Sequence, residues 1–421
     1  MVKNFVLTDS TNYIYNLNKK TGFLFNKKTG KEFFLNKMGA EILSDILKKK
    51  KNKLTPVEEN YILRLKAYGL ITDVKITDGV YREVQTDIPL QSIQLELSKK
   101  CNLKCIHCYI PNYSTKNDMT LNQVKKVIDE ASDLGVINFD ITGGEPFLRK
   151  DILEILEYIH VKGMRTTIFT NGTIISENIL QKLKDLNISK LKISIDGYDS
   201  KTHDEVRGKG AFKKTIENIV KFKEAGLLIE INTVLHKNNY KMAKKIIEQL
   251  ERLEVPYHVD RYVPFDGNVY DHLCITDEEY LEAIQGIVET KLSDIVSDST
   301  TQDNGFFCGA GNSYVFIKSN GTVAFCPTMP ENFSGGNFKK QSLKEIWENS
   351  IFFKRIRNVN CKYFSVCSLS HICKGGCRSR STLIYGSIDT EDLQSCKLMY
   401  NITGIASPPL KKYLEREDDF E

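Results

Sequence analysis

Residues 191–196 read Leu-Lys-Ile-Ser-Ile-Asp, and the alternation within this stretch decides the fold class. In a β-strand, the apolar side chains at 191, 193 and 195 face one side and the polar ones at 192, 194 and 196 face the other. A doubly wound sheet is covered by helices on both faces, so its strands are apolar throughout. A parallel strand with one polar face instead indicates a sheet that encloses a polar space.

Strands and helices alternate from Ser92 to about residue 295, which is typical of parallel βα units. The six predicted strands span 93–97, 137–142, 165–171, 191–196, 228–234 and 257–263. We therefore predict an α/β fold with a partial (β/α)6 barrel, resembling part of a TIM barrel, whose lumen binds a polar ligand. The alternative is that the polar residues are solvent-facing strand ends.

The regions on either side of the barrel predict two further domains. Upstream, three short aromatic-rich strands precede two capped helices, an order typical of a winged helix, and a linker follows around 77–89. Downstream, seven of the 11 cysteines fall between 308 and 396. The predicted domains are a winged-helix module at 1–88, the barrel at 89–299 and a cysteine-rich, cluster-binding domain at 300–421.

Composition restricts the class of protein. With 421 residues, 41% hydrophobic and 27% charged, the chain is neither disordered nor fibrous. It contains no run of eighteen apolar residues and does not begin like a secretory signal, so we predict a cytoplasmic protein without a membrane segment. In a reducing compartment, arrays of cysteines bind metal or perform redox chemistry.

The basic excess lies in the N-terminal fifth of the chain. Residues 1–88 hold sixteen Lys/Arg against ten Asp/Glu, whereas the whole chain has a net charge of +5. A net positive charge this small is weak support for nucleic-acid binding and is equally compatible with an acidic peptide partner. We predict no specific nucleic-acid partner, although an iron–sulfur or zinc sensor whose winged helix binds DNA stays open as an alternative.

Two motifs follow the first two strands. The first reads Cys101-Asn-Leu-Lys-Cys105-Ile-His-Cys108, and the second reads Thr-Gly-Gly-Glu-Pro over 142–146. A closed structural zinc site needs a fourth ligand, whereas three cysteines on a cubane cluster leave one iron free for substrate. A zinc loop with a distant fourth ligand is the alternative interpretation.

Together these motifs resemble those of the radical S-adenosylmethionine (SAM) superfamily, over 93 to about 400. The resemblance implies that Cys101, Cys105 and Cys108 hold the catalytic [4Fe–4S] cluster and that His107 takes the usual aromatic position. Glycines 143 and 144 with Glu145 imply a site for the methionyl amine. Further SAM contacts, to its ribose and carboxylate, are implied for Asn171, Ser194, Asp196 and Arg207, the last as a guanidinium fork.

The C-terminal array resembles the SPASM domain, which carries two auxiliary [4Fe–4S] clusters in peptide-modifying enzymes. The first implied ligand set is Cys308, Cys326 and Cys377, and the second is Cys361, Cys367, Cys373 and Cys396. Phe364 stands where the family usually has a cysteine, which weakens the Cys361 and Cys367 assignment. Cys274 is left over as a free thiol or a fourth ligand of the first set. Zinc knuckles are the alternative.

The N-terminal module resembles the recognition element that binds leader peptides of ribosomally made peptides as an added strand. The combined resemblance implies a maturase similar to sactipeptide and ranthipeptide synthases, which join a cysteine sulfur to a carbon through a 5′-deoxyadenosyl radical. Its partners would be a precursor peptide and a flavodoxin- or ferredoxin-type reductant. Carbon–carbon cross-linking, epimerisation and formylglycine formation remain alternatives on the same scaffold.

Overall fold

The computed structural model describes residues 13–17, 22–26, 32–35, 37–47, 55–67, 80–83, 86, 88, 90–110, 113–264, 272–285, 309–373 and 375–418. Of the predicted ligands, Cys308 lies outside these ranges. Across the described ranges, no helix has the length and apolar character needed to cross a membrane.

A small sheet and two helices form the N-terminal region. Its elements are β1 (Tyr13–Leu17), β2 (Gly22–Asn26), β3 (Glu32–Leu35), α1 (Lys37–Leu47), α2 (Pro56–Ala67) and β4 (Val80–Glu83). The strand order is β3-β2-β1-β4, with β4 parallel to β1 and the other pairs antiparallel. The predicted elements are present, but β4 lies in the segment predicted as a linker. Leu43 of α1 and Ile62 of α2 are buried.

Six parallel strands in chain order confirm the predicted partial barrel. The strands are β5 (Ser92–Glu96), β6 (Asn138–Thr142), β7 (Arg165–Thr170), β8 (Lys190–Ser194), β9 (Ile229–Leu235) and β10 (Tyr257–Arg261). The helices between them are α3 (Leu121–Asp133), α4 (Ile152–Val161), α5 (Glu177–Asp185), α6 (Ser200–Arg207), α7 (Ala211–Glu224) and α8 (Ala243–Arg252). Because β10 does not pair with β5, the sheet remains open.

The alternation in β8 has the predicted consequence. Leu191 and Ile193 are fully buried in the core under the helices. On the opposite face, Lys192 Nζ lies 3.0 Å from the Glu230 carboxylate, directly across the ladder. Lys190 Nζ contacts the same carboxylate at 2.6 Å. This polar face therefore carries paired charges where β8 begins, and further along it the side chain of Asp196 is fully buried instead of facing solvent.

The cysteine-rich region continues the barrel sheet, which the sequence did not predict. Its elements are α9 (277–285), β11 (Tyr314–Ile317), β12 (Thr322–Ala324), β13 (Gly336–Asn337), α10 (Leu343–Asn349), α11 (Ile351–Asn358), α12 (Ser370–Cys373), α13 (Arg378–Tyr385), α14 (Leu393–Thr403) and α15 (Pro408–Asp418). Strand β11 pairs in parallel with β5, and β12 and β13 extend the sheet to nine strands.

Candidate active site at the carboxyl ends of the barrel strands

The loop after β5 brings the three motif cysteines together. The Cys108 amide donates to the Cys105 carbonyl at 3.2 Å, and the Leu103 amide donates to Cys101 Sγ at 3.4 Å. Burial, with smaller effects of Asp196, Cys108 and Cys101, raises the pKa of the Cys105 thiol to about 11 although Arg207 lowers it. A positive group is needed to hold these sulfurs as thiolates, which is the form that binds metal.

The two motif glycines pack against the chain that leads into this loop. The amide of Gly144 donates to the Ser98 carbonyl at 2.7 Å. A Cβ on Gly143 would lie 2.5 Å from the Ser98 carbonyl oxygen, and one on Gly144 would lie 2.3 Å from that of Lys100. The glycines therefore allow the loop after β6 to touch the cysteine loop, a contact that sequence reasoning did not anticipate.

Glu145 joins the ends of two strands. Its buried carboxylate accepts hydrogen bonds from the Thr170 hydroxyl and the Asn171 amide, both at 2.9 Å, and from the Phe147 amide at 3.2 Å. Burial raises the pKa of Glu145 to about 7 despite these donors. Its side chain thus fixes the end of β7 relative to β6.

Asn171 belongs to a closed ring of hydrogen bonds beside Cys101. Its Nδ2 donates to Asn102 Oδ1 at 3.0 Å and lies 3.9 Å from Cys101 Sγ. Thr173 completes the ring, because its hydroxyl donates to Asn171 Oδ1 at 2.6 Å and accepts from Asn102 Nδ2 at 2.9 Å. This ring holds the first turn of the cysteine loop against β7.

Asp196 and Arg207 bind each other at the end of β8. Arg207 Nε donates to Asp196 Oδ2 at 2.5 Å, and the other carboxylate oxygen accepts from the Val234 amide at 2.9 Å. Burial alone would raise the pKa of Asp196, but Arg207 and His107 hold it at about 2. Arg207 Nη1 also lies 4.0 Å from Cys105 Sγ, which brings a positive charge to the thiols.

Three histidines, of which the sequence identified only His107, surround this ion pair. The His107 ring stacks on His236 with centroids 5.6 Å apart, and His107 Nε2 lies 3.5 Å from Asp196. The amide of Asp196 donates to His203 Nδ1 at 3.3 Å. Burial lowers the pKa of His107 and of His203 to about 4, so both rings are neutral at pH 7.

Several buried polar atoms here fit a bound cofactor. Among the described residues, His107 Nδ1, His236 Nε2 and Asn232 Oδ1 are buried without a hydrogen-bond partner. Because the Asn238 amide donates to His236 Nδ1 at 3.2 Å, the hydrogen of His236 resides on Nε2. Asn232 stands opposite Ser194 in the ladder. Unsatisfied buried groups are rare in native proteins, and SAM carries both donors and acceptors for them.

The second set of C-terminal cysteines lines one cavity. Its volume is about 400 Å³, counting the opening to solvent, and its walls include Cys361, Cys367, Cys373, Cys396 and Asp392. Four thiols around one cavity fit a cluster in number and kind. In the described part of the chain, no three His, Cys, Asp or Glu side chains meet at single-metal-ion spacing.

Two members of the first set also lie near each other. Burial, with Cys377 adding to it, raises the pKa of Cys326 to about 11. The Cys377 amide donates to Asp392 Oδ2 at 2.9 Å, so Asp392 contacts both sets. Cys308 lies outside the described residues, so its predicted role as a ligand is not tested. The role of Cys274 also stays a prediction.

Two family models match the chain. The radical SAM superfamily model matches residues 95–267, and SPASM, an iron–sulfur cluster-binding domain, matches residues 308–377. An AdoMet-dependent heme synthase of Methanosarcina barkeri is 29% identical over 340 residues, which are 71% of this chain and 94% of that protein. The antilisterial bacteriocin subtilosin biosynthesis protein AlbA of Bacillus subtilis is 28% identical over 296 residues, 67% of this chain and 66% of AlbA.

Among solved structures, the fold resembles Streptococcus suis SuiB bound to its precursor peptide SuiA. The TM-score is 0.70, and the likeness covers 93% of this chain and 99% of SuiB at 18% sequence identity. At that identity the likeness concerns the fold, including most of the chain outside the barrel.

Proposed function

We propose that the chain installs thioether cross-links, from cysteine sulfur to carbon, in a ribosomally made precursor peptide. The premise is that it contains a radical SAM domain, which binds SAM and a [4Fe–4S] cluster, and a SPASM domain, which binds auxiliary iron–sulfur clusters. The ligands of the three clusters are those predicted from the sequence. The substrate is a cysteine-containing core that follows a leader.

The observation that carries this proposal is the sheet attached in front of the barrel. Strand β3 forms one edge of it and, among the described strands, pairs with β2 alone. A leader peptide added to this edge would be held by main-chain hydrogen bonds, and basic side chains of the module would attract an acidic leader. An enzyme acting on a small molecule has no evident use for such an edge.

The extent of the similarities supports the same conclusion. The match to the heme synthase covers 71% of the chain, whereas the fold likeness to the peptide-bound SuiB covers 93%. The sequence similarity to AlbA adds a relative named for the biosynthesis of the bacteriocin subtilosin. Both similarities support a peptide substrate.

Cys101, Cys105 and Cys108 would hold a [4Fe–4S] cluster, which would supply the electron for cleavage of SAM into methionine and a 5′-deoxyadenosyl radical that takes hydrogen from a peptide carbon. The chain's own residues position the reactants for this step. Glu145 and the Asn171 ring fix the cysteine loop, and Arg207 brings positive charge to it. Ser194 and Asn232 face the lumen, where they are placed to hydrogen-bond a polar ligand. The protein's contribution is positioning and exclusion of water.

The test uses full-length protein, reconstituted anaerobically and supplied with SAM and reductant. The peptides are those encoded by short cysteine-rich reading frames beside the gene. We expect the product to lose two hydrogens per bridge and to protect one thiol per bridge from alkylation. A peptide with the bridging Cys changed to Ser should keep its mass.

Other outcomes point to other reactions. A mass loss that leaves every cysteine thiol of the peptide alkylatable indicates carbon–carbon cross-linking. An unchanged mass with an inverted α-carbon in one residue of the peptide indicates epimerisation. The similarity to the heme synthase favours a second candidate, a reaction of haem biosynthesis. Turnover of an iron porphyrin carboxylate without any peptide product would replace the peptide proposal with that one.

A further inference from the structure

Arg378 lies next to Gly375, a residue that lines the cavity of the second set of cysteines. It is the first residue of α13, directly after Cys377. A Cβ on Gly375 would lie 3.6 Å from Arg378 Nη2 and 3.5 Å from the Cβ of Cys361. Gly375 and Cys361 both line the cavity, and Gly375 has no side chain to separate the guanidinium from Cys361. The positive charge also lowers the pKa of Cys361, against the larger effect of burial.

The guanidinium of Arg378 is only partly satisfied. Its Nη1 donates to the carbonyl oxygens of Ile388 and Thr390, at 2.7 and 3.1 Å. Its Nε and Nη2 are buried and, within the described ranges, have no hydrogen-bond partner. Leaving buried charged donors unpaired is costly, so an acceptor that is not part of the chain is expected at this position.

The neighbouring Arg380 shows the opposite arrangement. Asp392 clamps it with two hydrogen bonds, from Nε at 2.9 Å and from Nη2 at 2.6 Å. Glu391, which also acts on Cys361, lies 2.8 Å from Lys362 Nζ. Both carboxylates near the cavity are thus neutralised by other cations. Among the described residues, Arg378 makes no ion pair with a carboxylate. Its charge contributes to lowering the pKa of Asp389, after the larger effect of the hydrogen bond that this carboxylate accepts from the Ser387 hydroxyl.

We propose that Arg378 is a positioning residue that donates hydrogen bonds from Nε and Nη2 to the sulfur atoms of an iron–sulfur cluster and raises the reduction potential of that cluster. This inference rests on the proposed assignment of the four cysteines of the second set to such a cluster. Hydrogen bonds to sulfur and a nearby positive charge both stabilise the reduced, more negative state. The cluster would thereby become a better electron acceptor.

The experiment is a potentiometric titration of the reconstituted full-length protein, followed by electron paramagnetic resonance. In Arg378→Gln, we expect one auxiliary cluster to become about tenfold harder to reduce, which is about 59 mV for one electron. The other clusters should keep their potentials. Arg378→Lys keeps the charge without the planar fork, so its shift should be smaller. Arg252→Gln, which removes an exposed charge from α8, is the control and should shift none of them.

Iron content and SAM cleavage are measured separately from the potential. Unchanged potentials in both Arg378 variants, with full iron content, would overturn the inference. If Arg378→Gln does not retain iron, the Lys variant decides, and an unshifted potential there overturns the inference as well. Zinc instead of iron at the four cysteines would refute the cluster assignment itself, a result distinguishable by metal analysis.

Discussion

Gly144 lies where the loop after β6 presses on the main chain that leads to Cys101. A Cβ there would approach the Lys100 carbonyl oxygen to 2.3 Å, and backbone atoms cannot rotate away as a side chain would. We expect Gly144→Ala to displace the cysteine loop, to lower the free energy of unfolding by about 1–3 kcal/mol, and to abolish SAM cleavage, measured as release of 5′-deoxyadenosine.

Gly226→Ala is the matched control for this substitution. Its φ of +75° makes alanine unfavourable by about 1 kcal/mol, but nothing lies within 4 Å of the added carbon. SAM cleavage should therefore survive in this variant. Full cleavage by Gly144→Ala would show that the contact with Lys100 is not needed to hold the cysteine loop.

The buried histidines predict a pH dependence of stability. Burial lowers the pKa of His203 from 6.5 to about 4, so the folded protein keeps this ring neutral while the unfolded chain takes up a proton. Stability is therefore complete above pH 6.5 and is lost as the pH falls toward 4. Between pH 7 and pH 4, the free energy of unfolding of His203→Asn should therefore fall by on the order of 3 kcal/mol less than that of the parent protein.

The measurement is chemical unfolding of the apoprotein at several pH values. Asparagine can still accept the hydrogen bond from the Asp196 amide, so the fold should persist. An equal slope in the His203 variant and the parent would contradict the neutral, buried state of this ring.

Most of the residues that the structure brings together at the carboxyl ends of the strands were predicted from the sequence, but not how they contact one another. Asp196 and Arg207 were predicted as separate ligand contacts, and the structure pairs them because two buried charges need each other. Asn102 and His236 were missed. Asn102 contacts Asn171, and His236 contacts His107. Both partners are far away in the sequence, so no local motif predicts either contact.

At the scale of the elements, local patterns were sufficient for the barrel and insufficient beyond it. Alternating polarity predicts which face of β8 lines the lumen, since side-chain direction follows directly from strand geometry. Strand β11 has four apolar residues and no alternation, so nothing local indicates its partner. Its place beside β5 depends on packing between distant segments, and the same applies to the pairing of β4 with β1.

The N-terminal sheet predicts that leader binding and SAM cleavage are separable. A truncated protein that lacks this sheet should begin after residue 85. Ile88 should be kept, because its carbonyl oxygen accepts a hydrogen bond from the Trp347 indole at 2.7 Å and so connects it to the cysteine-rich region. A chain lacking 1–85 should still cleave SAM but lose most of its affinity for the precursor peptide, measured by fluorescence anisotropy. Tight, sequence-dependent binding of duplex DNA by the intact protein would favour the sensor alternative instead.

At the scale of the whole molecule, the cysteine assignments predict the metal content. Ten of the 11 cysteines are assigned to three cubane clusters, so reconstituted protein should contain about twelve iron atoms per chain. Replacing Cys101, Cys105 and Cys108 together with Ala should remove about one third of the iron and all SAM cleavage. Cys274→Ala should retain the full iron content if this thiol only packs in the core, and lose part of it if the thiol closes the first auxiliary set.

The pairing of β11 with β5 has a consequence for how the molecule can come apart. A barrel expressed alone, ending near residue 299, would leave β5 as an edge strand whose free N–H and C=O groups invite pairing with other chains. We expect such a fragment to aggregate even though its own six strands are intact. In the full-length protein, the shared ladder should make the barrel and the cysteine-rich region melt in a single cooperative calorimetric transition. Two well-separated transitions would mean that each part is stable without its neighbour's strand.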